Sequence, residues 1–417
     1  MRSRRVAESV ILAVAFACLA GWFGAGPVPS EAQTTPSPIP APLREILSKL
    51  DQGDSAGAEQ LLAQNLPRVK GQLEALLGRI DQEFDDLGKY GAVSYKFGPG
   101  YQPLTEANRR YQKVFELYRQ RARDENLFQR FEARRLRIEG ADYTDRGEIA
   151  CGEKLDWEEA QKFYQTALDR LEASFALAQE TKDYRVMASA KNNIGSTLIR
   201  LAKPKEALQA YSEGLRYAEQ LPGPLYKGLL RLNLGNTYVW VGEPDEALRH
   251  LNPALDLFKK MGRGTWIANA LMTIGNAYLR QQKYANAWET LQLSLEIARQ
   301  SKENRVYGRA LLNLGMAGMQ LQKKEALSLV QKGLEWYETD AGKEVYVPIE
   351  REVIRQDGLR LLSQMARQSG NQALAEKYHK EYLGSFGPDP DRYAALRQSP
   401  CFEIYQARPT SQYQAAP

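Results

Sequence analysis

Four glycines recur at one constant interval, and this spacing constrains the fold more than any other feature of the chain. They are Gly195, Gly235, Gly275 and Gly315. Each follows an isoleucine or a leucine: Ile194, Leu234, Ile274 and Leu314. Self-similarity at a fixed period of this size is typical of a solenoid, in which one supersecondary unit stacks repeatedly. We therefore expect function to reside on an extended surface rather than in an enclosed active site.

A second set of residues follows each glycine at fixed offsets. Twelve residues after the first three glycines, and eleven after the fourth, lies an alanine: Ala207, Ala247, Ala287 and Ala326. Four residues further on lies a larger apolar residue: Tyr211, Leu251, Leu291 and Val330. Intervals of three, four and seven place side chains on one face of a helix. Each unit is therefore predicted to be two helices joined by a short turn, with the small residues letting the helices approach closely.

The pattern resembles the tetratricopeptide repeat. That family has a large residue and a glycine in its first helix, an aromatic residue three positions later, and alanines in its second helix. Tyr238 and Tyr278 match the aromatic position, whereas Leu198 and Gly318 depart from it. The units exceed the usual length of about 34 residues, as in long-period members such as kinesin light chain. The resemblance implies an all-α fold, a right-handed superhelix of stacked antiparallel helix pairs whose concave groove binds peptides.

Partial matches extend the array in both directions. Upstream, the segment 156–160 resembles another second helix, and its first helix is expected to run from Thr105 to about Glu139, before an irregular stretch up to Cys151. Downstream, 351–368 and 371–383 form a predicted helix pair. The resulting division is a signal peptide or uncleaved anchor (1–32), a proline-rich linker (33–41), an N-terminal helical region with an atypical repeat (42–150), the repeat array (151–345), a capping helix pair (346–384) and a flexible tail (385–417).

The N-terminus has the features of a secretory signal peptide. Arg2, Arg4 and Arg5 precede an uncharged, largely apolar stretch, and small residues lead to a cleavage site after Ala32. Retention as a membrane anchor, or lipid attachment at Cys18, stays open as an alternative. Every alternative places the repeats outside the cytoplasm: in the periplasm, a thylakoid lumen or the cell envelope of a bacterium. The signal and linker are similar to those of exported repeat proteins of cyanobacteria.

Cleavage would leave two cysteines, Cys151 and Cys401. Two alternatives stay open for them: they remain free thiols, or they form a disulfide that ties the tail to the first repeat.

The residue types that support catalysis are scarce. The chain has two histidines, His250 and His379, and neither has metal ligands at a suitable spacing. No nucleophile elbow or phosphate-binding glycine loop occurs. Arginines crowd the segment 108–137, but acidic residues interleave with them, so we expect a solvated helix face rather than a nucleic-acid site. The sequence predicts no enzyme, no cofactor and no metal.

The candidate binding residues recur in the first helices of the repeats. Two residues before the glycines lie Asn193, Asn233, Thr273 and Asn313; one residue after them lie Ser196, Asn236 and Asn276; five residues after them lie Arg200, Trp240 and Arg280. Asparagine is a mediocre helix former, so its repeated use needs a cause. By resemblance these positions line the groove, where carboxamides match the main chain of an extended peptide and arginines match a carboxylate. The alternative is that the asparagines bond between neighbouring helices and align the repeats.

These observations favour an exported, non-enzymatic scaffold that binds a protein or peptide partner in its groove through a ladder of asparagines. Two other classes stay open: a membrane-anchored assembly factor for envelope or photosynthetic complexes, and an auxiliary subunit of an enzyme or export machine. No nucleic-acid partner is expected, and membrane contact is expected only through an uncleaved N-terminal anchor.

Overall fold

The structure is a computed structural model that describes residues 39–88, 100–345, 348–384 and 400–401. These residues form seventeen helices and no strand. The expected signal peptide, and most of the expected linker and tail, lie outside the described residues.

Four helices precede the repeats: α1 (Leu43–Asp51), α2 (Ser55–Gln64), α3 (Leu66–Gly88) and α4 (Gln102–Ala122). They share one apolar core, to which the next helix contributes Leu127 and Phe131. The ring of Phe131 stacks on that of Phe115 in α4, with the centroids 4.1 Å apart. The N-terminal helices are therefore continuous with the repeat array rather than a separate body.

Five hairpins follow, and successive helices pack against each other along the chain. The hairpins are α5–α6 (Glu125–Gly152 and Trp157–Glu180), α7–α8 (Tyr184–Arg200 and Pro204–Ala218), α9–α10 (Leu225–Val241 and Pro244–Lys260), α11–α12 (Gly264–Arg280 and Tyr284–Gln300) and α13–α14 (Asn304–Gln320 and Ala326–Glu338). A short helix α15 (Asp340–Val345) leads to the pair α16 (Pro348–Gln368) and α17 (Gln372–Gly384). The expected all-α solenoid of stacked helix pairs is confirmed.

The repeated glycine is where the two helices of a hairpin touch. A Cβ atom built on Gly195 would lie 2.5 Å from the ring of Tyr211, and one on Gly275 would lie 2.6 Å from Leu291. Only a residue without a side chain fits at such a distance. The repeated alanines are buried in the same contacts: Ala207, Ala247, Ala287 and Ala326. The small and large residues of the sequence pattern therefore specify the closest approach within each hairpin.

The turn inside each hairpin has the same backbone geometry in all four regularly spaced units, although its residues differ. Seven residues after the repeat glycine, φ is positive at Ala202, Gly242, Gln282 and Gln322. The next residue donates its N–H back to a carbonyl five residues earlier, as in Lys203 to Leu198 at 2.9 Å and Lys283 to Tyr278 at 2.9 Å. This is the Schellman arrangement that closes a helix end. Chain reversal therefore does not depend on glycine or proline at this position.

A further hairpin precedes the four regularly spaced ones, and its second helix α6 lies where the sequence predicted one. The expected single helix from Thr105 to Glu139 is wrong, because α4 ends at Ala122 and the Asp124 side chain caps a new helix by accepting from the Leu127 N–H at 3.1 Å. That helix, α5, continues to Gly152, so the expected boundary at residue 150 falls inside it. A Cβ on Gly147 would lie 2.4 Å from Tyr164, which makes Gly147 the repeat glycine of α5. Gly147 stands further from Gly195 than the later repeat glycines stand from one another, so it falls outside their period.

Candidate functional site

The first helices of successive repeats lie on the inner side of the array. Helix α9 contacts α7 and α11, and α11 contacts α13, whereas the second helices α8, α10, α12 and α14 make no comparable contacts with one another. The side on which neighbouring units come closer is the concave side of a curved stack. The candidate residues lie on these first helices at offsets of three and seven residues, and therefore on one face. We call them the groove stripe: Asn193, Ser196, Arg200, Asn233, Asn236, Trp240, Thr273, Asn276, Arg280 and Asn313.

Hydrogen bonds within the groove stripe join each first helix to the next. Thr273 donates to the Oδ1 of Asn236 at 2.7 Å, and the Nδ2 of Asn313 donates to the Oδ1 of Asn276 at 2.5 Å. The Nδ2 of Asn233 donates to the Oδ1 of Asn192 at 2.9 Å. These are the contacts expected if the asparagines align neighbouring repeats. Asn192 was missed by the sequence analysis, although the paired asparagines 192 and 193 are a signal for it.

Each of these bonds uses only part of a carboxamide. Within the described residues, the Nδ2 groups of Asn236 and Asn276 donate to no protein atom, and the Oδ1 of Asn233 accepts from none. All three side chains are half-buried, and none of these three atoms is buried without a partner. The same amides can therefore align the repeats and bind a ligand.

Other members of the groove stripe differ in what they already bind. The Nε of Arg200 lies 2.7 Å from the Oε2 of Glu148, a fully buried carboxylate at the end of α5. Arg200 is therefore engaged inside the protein, where the sequence analysis had expected it to pair with a partner. Arg280 makes no ion pair within the described residues, and burial lowers the pKa of its guanidinium. Ser196 lies 3.2 Å from the hydroxyl of Tyr211, and the buried Nδ2 of Asn193 has no hydrogen-bond partner in the described residues.

Helix α3 covers the first part of this inner face through a buried ion cluster. Asp81 accepts from Arg134 at 2.7 Å and from Arg137 at 2.9 Å, both on α5. Asp85 accepts from Arg185 on α7 and from the hydroxyl of Tyr226 on α9. Arg185 lies eight residues before Asn193 and shares a helix face with the groove stripe, and Arg137 has the equivalent position on α5, ten residues before Gly147.

This ion cluster corrects, for Arg134 and Arg137, the expectation that the arginines of 108–137 form a solvated face, whereas Arg109, Arg110, Arg121 and Arg123 are exposed as expected. Arg137 is 0% exposed and Arg134 is 4% exposed. Burial alone raises the pKa of the Asp81 carboxyl, but the guanidiniums of Arg137 and Arg134 outweigh it and hold that pKa below its usual range. Asp81, the acid that neutralises Arg134, lies 53 residues away from it in the sequence, in another helix.

The start of α4 covers the same region. Tyr101 is 6% exposed and its ring lies 5.2 Å from that of Phe84 in α3. Burial, together with the Asp145 carboxylate, raises the pKa of the Tyr101 hydroxyl. Asp145 stands two residues before Gly147, which is the position that Asn193 and Asn233 occupy in later repeats. The inner face of α5 is therefore covered by the chain itself.

Helix α16 carries a carboxyl group, that of Asp357, whose pKa is raised to about 7. Burial raises the pKa of Asp357 to about 7, although Arg360 acts in the opposite direction. At pH values between the unfolded pKa of about 3.9 and this raised pKa, Asp357 takes up a proton when the protein folds. The free energy of unfolding therefore falls as the pH rises through this range. We expect Asp357→Asn to remove this slope and to leave the variant more stable than the parent at pH 8. Urea unfolding of both proteins at pH 5 and pH 8 measures it, and an unchanged slope in the variant would contradict the assignment.

A cleft of about 360 Å³ lies between α12, α13 and α14. Trp288, Leu295 and Leu329 line it, together with Tyr307 and Leu314. The cleft lies beside the start of α14. This helix begins at its repeat alanine, Ala326, whereas α12 begins three residues before its repeat alanine, Ala287. None of the groove stripe residues lines this cleft.

No group of three or more histidine, cysteine, aspartate or glutamate residues in the described part of the chain is arranged to hold a metal ion. None of the described helices combines the length and the hydropathy that a bilayer crossing requires.

The stacked hairpins with a polar inner face define the protein class as an α-solenoid built from helical repeats. The family model of the tetratricopeptide repeat matches residues 226–287 and 266–339, so this part of the chain is built from tetratricopeptide repeats. A second family model, anaphase-promoting complex subunit 5, matches residues 157–221. No curated protein sequence matches the chain.

Solved structures resemble the chain at low sequence identity. The STAND protein PH0952 from Pyrococcus horikoshii, with a tetratricopeptide repeat sensor, has a TM-score of 0.48 at 14% identity, covering 87% of this chain and 52% of that one. Aspartyl phosphate phosphatase F from Bacillus subtilis has a TM-score of 0.46 at 12% identity, with coverages of 86% and 93%. The apo form of RapI has a TM-score of 0.44 at 14% identity, with coverages of 74% and 98%. Similarities of this size carry no argument about ligands.

Proposed function

We propose that the protein is an exported, non-enzymatic scaffold that binds an extended segment of a partner protein along the groove stripe. Tetratricopeptide repeats are an interaction scaffold, and this supports the class. The observation that carries the proposal is the half-used row of carboxamides on α9 and α11. The Nδ2 groups of Asn236 and Asn276 are hydrogen-bond donors for which the described residues supply no acceptor.

The chemistry of these groups favours an extended main chain as ligand. Amide donors on successive helices bind backbone carbonyls whatever the side chains of the ligand are. Arg280 adds a guanidinium without an internal ion pair in the described part of the chain, which matches a carboxylate on the ligand. Trp240, half-buried in the same row, offers an aromatic surface for an apolar side chain.

Export is supported by the bond between the two remaining cysteines. Cys151 and Cys401 form a disulfide. Such bonds form and persist mainly in oxidising compartments outside the cytoplasm. Together with the signal-like N-terminus, this favours the periplasm, a thylakoid lumen or the cell envelope.

The double substitution Asn236→Ala with Asn276→Ala tests the role of the carboxamides. We expect at least a tenfold loss of affinity for peptides selected on the full chain from a random heptapeptide library, because two main-chain donors are removed. Isothermal titration measures the affinity. We expect a cost in stability of about 1–3 kcal/mol, from two net hydrogen bonds, in urea unfolding.

Asn286→Ala is the matched control, because Asn286 is an exposed amide on the second helix α12. It should leave both affinity and stability unchanged. Equal affinity in the double variant and the control would show that the asparagines only align the repeats. Failure to select any peptide would count against the groove as a peptide site.

A further inference from the structure

The first and last helix pairs of the array contact each other. Ile349 and Val353, in the first turns of α16, pack in one apolar cluster with Ala150 and Cys151 at the end of α5. Four hairpins separate these helices in the chain. Each helix between α5 and α16 also contacts its neighbours along the chain. The contact between α5 and α16 therefore closes this series of helix contacts into a ring.

A disulfide lies inside this junction. Cys151 and Cys401 are separated by 250 residues in sequence, and their Cα atoms are 5.4 Å apart. Both belong to the same apolar cluster as Ile349 and Val353, and they are 1% and 0% exposed. The disulfide therefore fixes Cys401, which packs against the start of α16, to the end of α5. We call the disulfide and the five buried apolar residues around it (Ala150, Ala160, Tyr164, Ile349 and Val353) the clasp.

The start of α16 is also tied to the groove stripe. Glu350, which stands between the two apolar contacts, is 2% exposed and accepts from Arg309 on α13. Arg309 lies four residues before Asn313, on the same face of α13. Asn313 in turn bonds to Asn276 on α11. A movement of α16 away from α5 is therefore passed to the amides of the groove.

We propose that the thiol–disulfide state of Cys151 and Cys401 regulates the groove by setting the curvature of the array. The curvature of a solenoid is the sum of small rotations between neighbouring repeats. A fixed distance between the first and last helix pairs fixes the sum of these rotations. It therefore also fixes the spacing of the asparagine Nδ2 donors along the groove stripe. After reduction only the apolar contact between α16 and α5 holds the ends together, and the array opens. This inference rests on the proposed function of the groove.

The chemistry requires a dithiol reductant. One of its thiolates attacks a sulfur of the Cys151–Cys401 bond, and the other cysteine leaves as a thiolate that takes up a proton. The second thiol of the reductant then resolves the mixed disulfide, so that the protein gains two electrons and two protons and the reductant becomes a disulfide. Because Ile349 and Val353 pack against the buried cysteines, the clasp must open before the attack.

The distance between α6 and α16 in the full chain, without any ligand, tests the clasp directly. Fluorescent non-natural side chains at the exposed positions 158 and 355 report it by energy transfer. We expect the distance to lengthen by ~5 Å, half the diameter of a helix, after reduction and in Cys401→Ser. Treatment of Cys401→Ser with the same reductant is the control, and it should leave the distance in that variant unchanged. An equal distance in the oxidised and reduced proteins would overturn the proposal.

A second variant keeps the test decisive if Cys401→Ser does not fold. Ile349→Ala with Val353→Ala retains the disulfide but removes the apolar cover. We expect an unchanged distance but reduction by dithiothreitol about tenfold faster, because the cluster opens more often. An unchanged rate of reduction would show that this contact does not guard the disulfide.

Peptide binding then connects the clasp to the groove. Heptapeptides selected on the oxidised chain should bind the reduced chain at least about tenfold more weakly. Equal affinities alongside a longer distance would overturn regulation of the groove. If no peptide binds in either state, the proposed function fails, while the distance measurements still decide whether the clasp sets the curvature.

Discussion

Replacing Asp81 with alanine should lower the free energy of unfolding by about 3–5 kcal/mol, the usual cost of leaving buried charges unpaired. Arg137 is 0% exposed and would keep only the hydroxyl of Ser189, at 2.7 Å, and the face of Phe84 as polar or cation–π partners. Arg134 would retain Asp183 at 2.8 Å. Urea unfolding at pH 7, followed by circular dichroism, measures the change.

The control for this variant is Asp51→Ala. Asp51 pairs with Arg110, whose side chain is 61% exposed. Exposed pairs contribute between about 0 and 1 kcal/mol, so this variant should lose no more than that. Equal losses in the two variants would contradict the conclusion that the cluster under α3 is a buried, mutually dependent set of charges.

The pH dependence of the stability lost in Asp81→Ala follows from the lowered pKa of the Asp81 carboxyl. A carboxyl whose pKa falls on folding contributes its full stability above its unfolded pKa of about 3.9, and loses it as the pH falls through the folded value. The difference between the parent and Asp81→Ala should therefore be largest at neutral pH and shrink below about pH 4. A difference that grows in acid would mean that the carboxyl is protonated in the fold.

Gly235→Ala should destabilise the array by about 1–3 kcal/mol, although alanine is the better helix former. The new Cβ would lie 2.4 Å from Leu251, whose side chain is fully buried in the hairpin of α9 and α10, so the two helices would have to move apart. The loss should be concentrated in α9, α10 and their immediate neighbours, because repeats contact only their neighbours. Hydrogen exchange of these helices measures it.

Gly78→Ala is the matched control, for which we expect the opposite change in stability. Gly78 lies inside α3 on an exposed face, and a Cβ there meets nothing within 4 Å. This change should stabilise α3 by about 0.5–1 kcal/mol through helix propensity alone. Stabilisation by both substitutions would show that the repeat glycine is not the point of closest contact.

The repeat hairpins could be predicted because their signal is local and periodic. In the first three units the glycine, the alanine and the large residue follow one another within a short stretch of sequence, and they meet in one hairpin. The second helix of the hairpin α5–α6 was predicted, but its first helix was wrongly placed at Thr105 to about Glu139. Gly147 and Tyr164 make the same contact as the other repeat glycines, but the longer interval between Gly147 and Gly195 breaks the period by which the other hairpins could be recognised.

The candidate site was predictable only in part. The register of the asparagines placed them on one helix face, and the structure brings Asn236, Asn276 and their neighbours together across α9, α11 and α13. Their bonding partners could not be predicted, because Asn276 and Asn313 are 37 residues apart and each amide can turn either way. Arg200 looked equivalent to Arg280 in sequence, yet the former is bound by Glu148 and the latter makes no ion pair in the described residues.

The sequence by itself determined the helical hairpins, their period and the face on which the amides lie, because short-range spacing specifies helix faces and contacts inside a hairpin. Only the tertiary structure decided which charges meet. Asp81 reaches Arg137 across 56 residues, and Cys151 reaches Cys401 across 250. The physical reason is that such contacts depend on the relative positions of helices far apart in the sequence. In a repeat array these positions result from the sum of the small rotations between neighbouring repeats. No local pattern of residues encodes that sum.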